Sequence, residues 1–241
     1  MVVVVSVMMR ANTKMFKSSI GNVSIPILIS KRNKGHIETS CTFHIQTNVY
    51  IDQLRFIPYI MSLNGLSLTR DSLEELSKTI AEDLKVDTIN IEATFRYPLD
   101  KVSIEYKTIL YYFKCGYTCS YDIKKGTTFS ITLEQPVRIK DFYSPSGKLY
   151  FSIENPDKKI YFEDLVDHIQ KQGRFIFYPP VSVEESVKLK DDPNGVVFHP
   201  YDILVNVQDA CKLKEIGNGG KIGINFKDVY NIYDMNYELT W

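Results

Sequence analysis

A chain of 241 residues fits one large domain or two smaller ones. At 44% hydrophobic and 24% charged it is not a disordered polymer. Lys plus Arg is 29 and Asp plus Glu is 29, so the formal net charge is zero, which argues against a dedicated nucleic-acid binder without excluding a local basic patch. Aromatic residues make up 12%, which favours sheet surfaces and pockets. No apolar run approaches the roughly 20 residues that a membrane-spanning helix needs.

Met1 to Met9 is apolar but short. It has no positive segment before it and no small-residue cleavage site after it. It reads as a strand or a loose tail, with a signal peptide as the alternative. Cys41, Cys115, Cys119 and Cys211 lack the spacing of a disulfide scaffold, so a cytoplasmic protein with reduced thiols is expected. Asn22-Val23-Ser24 is a glycosylation triplet by pattern alone.

Ile25 to Ile29 and Cys41 to Ile51 read as strands, joined by a polar loop at Lys31-Arg32-Asn33-Lys34-Gly35. In the second strand Cys41, Phe43, Ile45, Thr47, Val49 and Ile51 share one face. A helix follows, with Ser72 and Glu75 as a capping box and Leu73, Leu76, Ile80 and Leu84 on one face. Ile89 to Phe95 and Val102 to Tyr106 then alternate as two strands, with a turn expected at Pro98-Leu99-Asp100-Lys101. Another strand runs to about Tyr121, and Lys124-Lys125-Gly126 turns the chain into Thr127 to Leu133.

Lys148 to Ile153 is the next strand. A second amphipathic helix carries Phe162, Leu165, Val166 and Ile169 and stops at Gly173. Arg174 to Tyr178 is a strand. Pro200 opens a third helix with Ile203, Leu204, Val207 and Cys211 on its apolar side. Ile222 to Val229 and Asn236 to Trp241 close the chain as strands. The order predicts an α+β protein with antiparallel sheets, helices on one face and two similar halves, 1–126 and 127–241.

Short segments in the same order resemble the GTP cyclohydrolases of type IB and their archaeal relatives in methanopterin biosynthesis. The segments are Ile20-Gly21, Ile25-Pro26-Ile27, Met61-Ser62 within Tyr59 to Leu63, Thr132-Leu133, Tyr143, Tyr178-Pro179-Pro180, Glu184-Glu185 and Phe198. The resemblance spans about Ile20 to Tyr233. It implies a tandem tunnelling fold whose sheets join into barrels in an oligomer, here a homotetramer or similar even assembly. An open sheet edge leaves unpaired backbone groups, which fits closure by a neighbour.

In that family one Cys, two His and one Glu hold a catalytic metal, which supplies the hydroxide that attacks the purine ring. Here Thr132-Leu133 continues as Glu134-Gln135-Pro136-Val137-Arg138, without either cysteine. Ser146 and Tyr230 stand in place of the histidines. Glu185 alone keeps a carboxylate position, and one carboxylate is a poor zinc site. The glutamate that would grip the guanine edge falls near Lys190. The resemblance therefore implies no metal, no other cofactor and no ordinary GTP ring opening. It leaves Glu185, Arg138, Ser146 and Tyr230 as candidate residues for a purine or pterin.

The other candidates have bland readings. Cys41 and His44 fall on opposite faces of a strand, while Cys115 and Cys119 share a face as core or reduced surface cysteines. His36 belongs to no motif. His168 is a solvated helical residue and His199 precedes Pro200. Gly217 to Gly223 follows a helix instead of a strand and reads as a flexible connection, not a phosphate loop. Four functions compete: a degenerate tunnelling-fold protein that binds a purine or pterin or serves as a scaffold, a superfamily enzyme with different chemistry, a structural or interaction protein such as a non-catalytic subunit of an active paralogue, and, last because the charge is neutral, a nucleic-acid binder.

Overall fold

The computed structural model of the chain describes residues 18–33, 35–102, 108–139, 147–166, 175–177, 204–205, 208–209, 212–227 and 234–241. The expectations for Met1 to Met9, His168, Ile169, Gly173, His199, Pro200, Ile203, Val207 and Cys211 lie outside these residues. The strands are β1 (Ser18–Lys31), β2 (Gly35–Thr47), β3 (Thr88–Val102), β4 (Thr108–Asp122), β5 (Gly126–Ile139), β6 (Gly147–Glu154), β7 (Phe175–Phe177), β8 (Gly219–Lys227) and β9 (Asp234–Thr240). Helices α1 (Ile57–Met61) and α2 (Arg70–Leu84) lie between β2 and β3, and a helical segment at 162–166 follows β6.

The sheet order is β1-β2-β3-β4-β5-β6-β8-β9, with β7 paired to β5. This is an antiparallel α+β architecture. Strands, helix and strands occur in that order before Gly126 and again after it. By contacts the chain divides into two compact units, Met1–Arg96 with Cys115–Ile131 and Tyr97–Lys114 with Thr132–Trp241. Strands β3, β4 and β5 each contribute to both.

In the first unit, period-two alternation sends Cys41, Phe43, Ile45 and Thr47 of β2 into the core, as expected. Strand β2 ends there. Val49 is 40% exposed, while Ile51 is buried from a loop. Along β1 the alternation changes phase: Ile20 pairs with Ile45 but Val23 pairs with Phe43, so β1 carries one extra residue. Asn22 takes up the bulge at φ 59°, and both Ile20 and Val23 then face inward. Backbone from Gly65 to Leu68 covers the outer edge of β1, where Gly65 N donates to the Pro26 carbonyl and Leu28 N to the Leu66 carbonyl.

Helix α2 buries Leu73, Leu76, Ile80 and Leu84, the face expected. Its cap differs from the expected pair. Thr69 is the N-cap, its side chain accepting from Ser72 N while Ser72 Oγ accepts from Thr69 N. Ser72 is thus the third helical position of the box and not its first residue. The expected turn at Pro98 to Lys101 is also absent, because β3 runs through it to Val102. Tyr97 is fully buried there and packs its ring 5.1 Å from that of Phe162. The turn before β5 is as expected: Asp122 Oδ1 accepts from Lys124 N and Lys125 N, and Gly126 takes φ 80°.

In the second unit Leu149, Phe151 and Ile153 of β6 face inward with Ile222 and Ile224 of β8. Phe162, Leu165, Val166 and Leu204 are buried in the same unit. The glycine-rich run is a correction. Gly219 and Gly220 already belong to β8, and a methyl group on Gly220 would meet the Ser152 carbonyl and the Trp241 ring. These glycines admit close neighbours and do not form a loose connection.

Candidate functional site

Glu185, Ser146 and Tyr230 lie outside the described residues. Arg138 is in β5, where its backbone pairs with Ile176 of β7. The described residues therefore do not assemble the four sequence candidates into one site. Tyr59, in the segment that carries the Met-Ser of the resemblance, donates its hydroxyl to Asp83 Oδ2 at 3.0 Å. Desolvation, then the Asp83 hydrogen bond and charge, raise this phenol above its ordinary value. Ser62 Oγ donates to the Tyr59 carbonyl at 2.7 Å, so its hydroxyl closes the end of α1.

Glu134 stands at the start of the segment where the resemblance would put metal-binding cysteines. Its Oε1 sits 2.5 Å from Lys148 Nζ on β6 and 3.4 Å from Lys114 Nζ on β4. Two ammonium groups on neighbouring strands thus neutralise this carboxylate. The next residue, Gln135, points the other way and is buried.

The described thiols are core groups. Cys41, Cys115 and Cys119 are buried and reduced. Burial pushes the Cys41 thiol far above its ordinary value. Cys119 is also raised by burial, against the pull of a 3.5 Å hydrogen bond with Ser77 Oγ. Such thiols are poor nucleophiles and poor ligands. His44 lies on the opposite face from Cys41, near Gly21. Among the described residues no three His, Cys, Asp or Glu side chains gather where they could hold a metal ion.

One polar cluster escaped the sequence reading. Tyr150 of β6 donates its hydroxyl to Glu238 Oε2 of β9 at 2.5 Å, and Lys221 Nζ of β8 lies 3.9 Å from the same oxygen. Alternation in Lys148-Leu149-Tyr150-Phe151-Ser152 signals that Tyr150 faces outward. Its partners, 71 and 88 positions later, depend on register that only the fold supplies.

No protein-family model matches the chain, and no curated protein matches it in sequence. Among solved structures it is similar to a uricase from Bacillus fastidious, with a TM-score of 0.55 and 10% identity over 95% of this chain and 94% of that one. A uricase from Arthrobacter globiformis gives a TM-score of 0.50 and 9% identity, over 95% of each chain. The chain has a tunnelling fold. At this identity the likeness is one of fold alone. Both neighbours are uricases, so the fold expected from the cyclohydrolase resemblance is present while the cyclohydrolase chemistry is a separate question. Among the described residues no helix is long and apolar enough to cross a membrane.

Proposed function

We propose that this is a divergent tunnelling-fold protein that binds a purine- or pterin-class heterocycle without a catalytic metal. Likeness over 95% of the chain to a protein whose name denotes a purine substrate carries this reading. The resemblance to GTP cyclohydrolases of type IB points independently to the same class of ring. Glu185, Arg138, Ser146 and Tyr230 are the residues proposed to face it.

The metal is left out on the chemistry of the side chains. Water activation needs a cation, and a cation needs enough ligands of the right type. Glu134 and Pro136 stand in the segment of the family's cysteines, and the Glu134 carboxylate is engaged by Lys114 and Lys148. Tyr230 is a phenol, which keeps its proton near neutral pH, and Ser146 offers only a hydroxyl. Two tandem halves, 1–126 and 127–241, an even homo-oligomer and a cytoplasmic location complete the proposal.

Elemental analysis of the purified protein, an assay for GTP ring opening and a thermal-shift screen of purines and pterins test it together. The expected result is no stoichiometric zinc, no ring opening and a raised melting temperature with a purine or pterin. One tightly held zinc per chain, with turnover lost on chelation, would overturn it. A screen without any binder would leave a scaffold.

A further inference from the structure

We infer that Val49, Tyr50, Leu54 and Ile123 form an apolar docking surface at one end of the first unit, and that its occupant is the chain's own apolar segment Met1–Met9. The inference does not depend on the ligand proposed above.

Local hydrogen bonds build the surface. Strand β2 ends at Thr47, whose hydroxyl donates to the Val49 carbonyl at 2.8 Å. The chain leaves the sheet there with Val49 and Tyr50 outward, Tyr50 at 77% exposure. Asp52 then caps the short helical turn Gln53–Phe56, its Oδ1 accepting from Leu54 N. Phe56 faces the core and Leu54 faces water. The turn between β4 and β5 reaches the same end. Ile123 N donates to the Asp87 carbonyl at 2.9 Å, and the next residue, Thr88, exchanges hydrogen bonds with Asn48. Asp87 and Thr88 thus join the Val49 loop to Ile123, which is 62% exposed. Four of the seven large apolar side chains exposed among the described residues gather at this end. Single exposed apolar residues are ordinary, but a group of them marks a contact surface.

The path of the chain selects the occupant. Ser18 of β1 pairs with Thr47 of β2, so residues 1–17 enter the sheet beside the surface. Met1–Met9 reads Met-Val-Val-Val-Val-Ser-Val-Met-Met, eight apolar residues of nine and no charge. Met9 lies nine positions before Ser18, a reach of about 30 Å at roughly 3.3 Å per residue. Its valines favour an extended chain that can lie along an apolar strip. A tethered segment also competes at a high effective concentration, which a second copy in dilute solution does not match. Asp52, Asp87 and Asp122 border the surface together with Arg55, Lys124 and Lys125. This mixed rim offers no basic cluster to an anionic membrane.

Hydrogen exchange read by mass spectrometry on the full-length protein tests the docking. Residues 2–9 should exchange at least roughly tenfold more slowly than an unstructured chain of that sequence. Tyr50→Asp combined with Ile123→Asp, both at exposed positions, should abolish this protection without changing the circular dichroism. Reciprocally, Val3→Asp with Val5→Asp should speed exchange at Val49 to Leu54 and Asp122 to Lys125 and leave α2 unchanged. Exchange of residues 2–9 at the unstructured rate in the wild type, or protection that survives the Tyr50 and Ile123 substitutions, would overturn the inference. So would protection that fades on dilution as the molecular mass falls, which assigns the surface to a second copy. Protection that appears only with phosphatidylcholine vesicles would assign it to a membrane and overturn the inference equally.

Discussion

Cys41 and Cys119 keep their protons when folded because burial disfavours the thiolate. Their folded pKa values lie above the ordinary 9.0, whereas the unfolded chain ionises near it. The stability they contribute is therefore full below about pH 9 and is lost as the pH rises further. Tyr59 acts in the same direction from an ordinary value of 10.0, weakly because it is mostly solvated. The urea midpoint should fall as the pH rises from about 9 to about 11, and Cys41→Ala should flatten that fall. A midpoint independent of pH in this window would contradict the burial of these thiols. Their bland reading was legible in the sequence, since Cys115 and Cys119 alternate with polar neighbours. The two lysines on Glu134 were not, because they arrive from strands on either side.

At the level of elements, α2 and β3 show how far local pattern reaches. Apolar spacing located the buried face of α2, because a helix repeats every 3.6 residues whatever it packs on. The cap was misplaced by one turn, since Thr69, Ser72 and Glu75 all offer plausible capping chemistry. Thr69→Ala should cost about 1 kcal/mol in chemical denaturation, and Glu75→Ala within about 0.5 kcal/mol. The reverse ranking would restore the Ser72–Glu75 cap. Pro98 to Lys101 has turn chemistry, yet the buried Tyr97 leads the strand through it. The bulge at Asn22 was equally hidden, because it needs the register of β2 to be seen. In β8, Gly223→Ala should destabilise by roughly 1–3 kcal/mol, the usual cost of overpacking, because Tyr150 occupies the space. An unchanged melting temperature would show that Tyr150 does not lie across Gly223.

For the whole molecule, the alternation of strands with amphipathic helices was legible without any partner or ligand, but β3 and β4 were read as three strands and α1 was not read at all. Period-two and period-3.6 patterns are local, so they locate single elements whatever those elements pack on. The tunnelling fold came from collinear resemblance and agrees with likeness to a uricase at a TM-score of 0.55. The candidate site was legible only as substitutions: Ser146, Tyr230 and Glu134 where a metal-binding family has ligands. Whether those positions converge depends on long-range packing that spacing along the chain does not encode. Strand β9 ends the sheet order, and an even homo-oligomer would pair such an edge. Light scattering should give an even multiple of the chain mass, and a stable monomer on dilution would contradict the proposed assembly.

Binding of a purine or pterin in the absence of metal is tested most directly by titrating chelator-stripped protein with guanosine in a calorimeter. Saturable binding near one ligand per chain, unchanged when zinc is added back, is the result predicted here. Binding that appears only with zinc, or none at all, would contradict it.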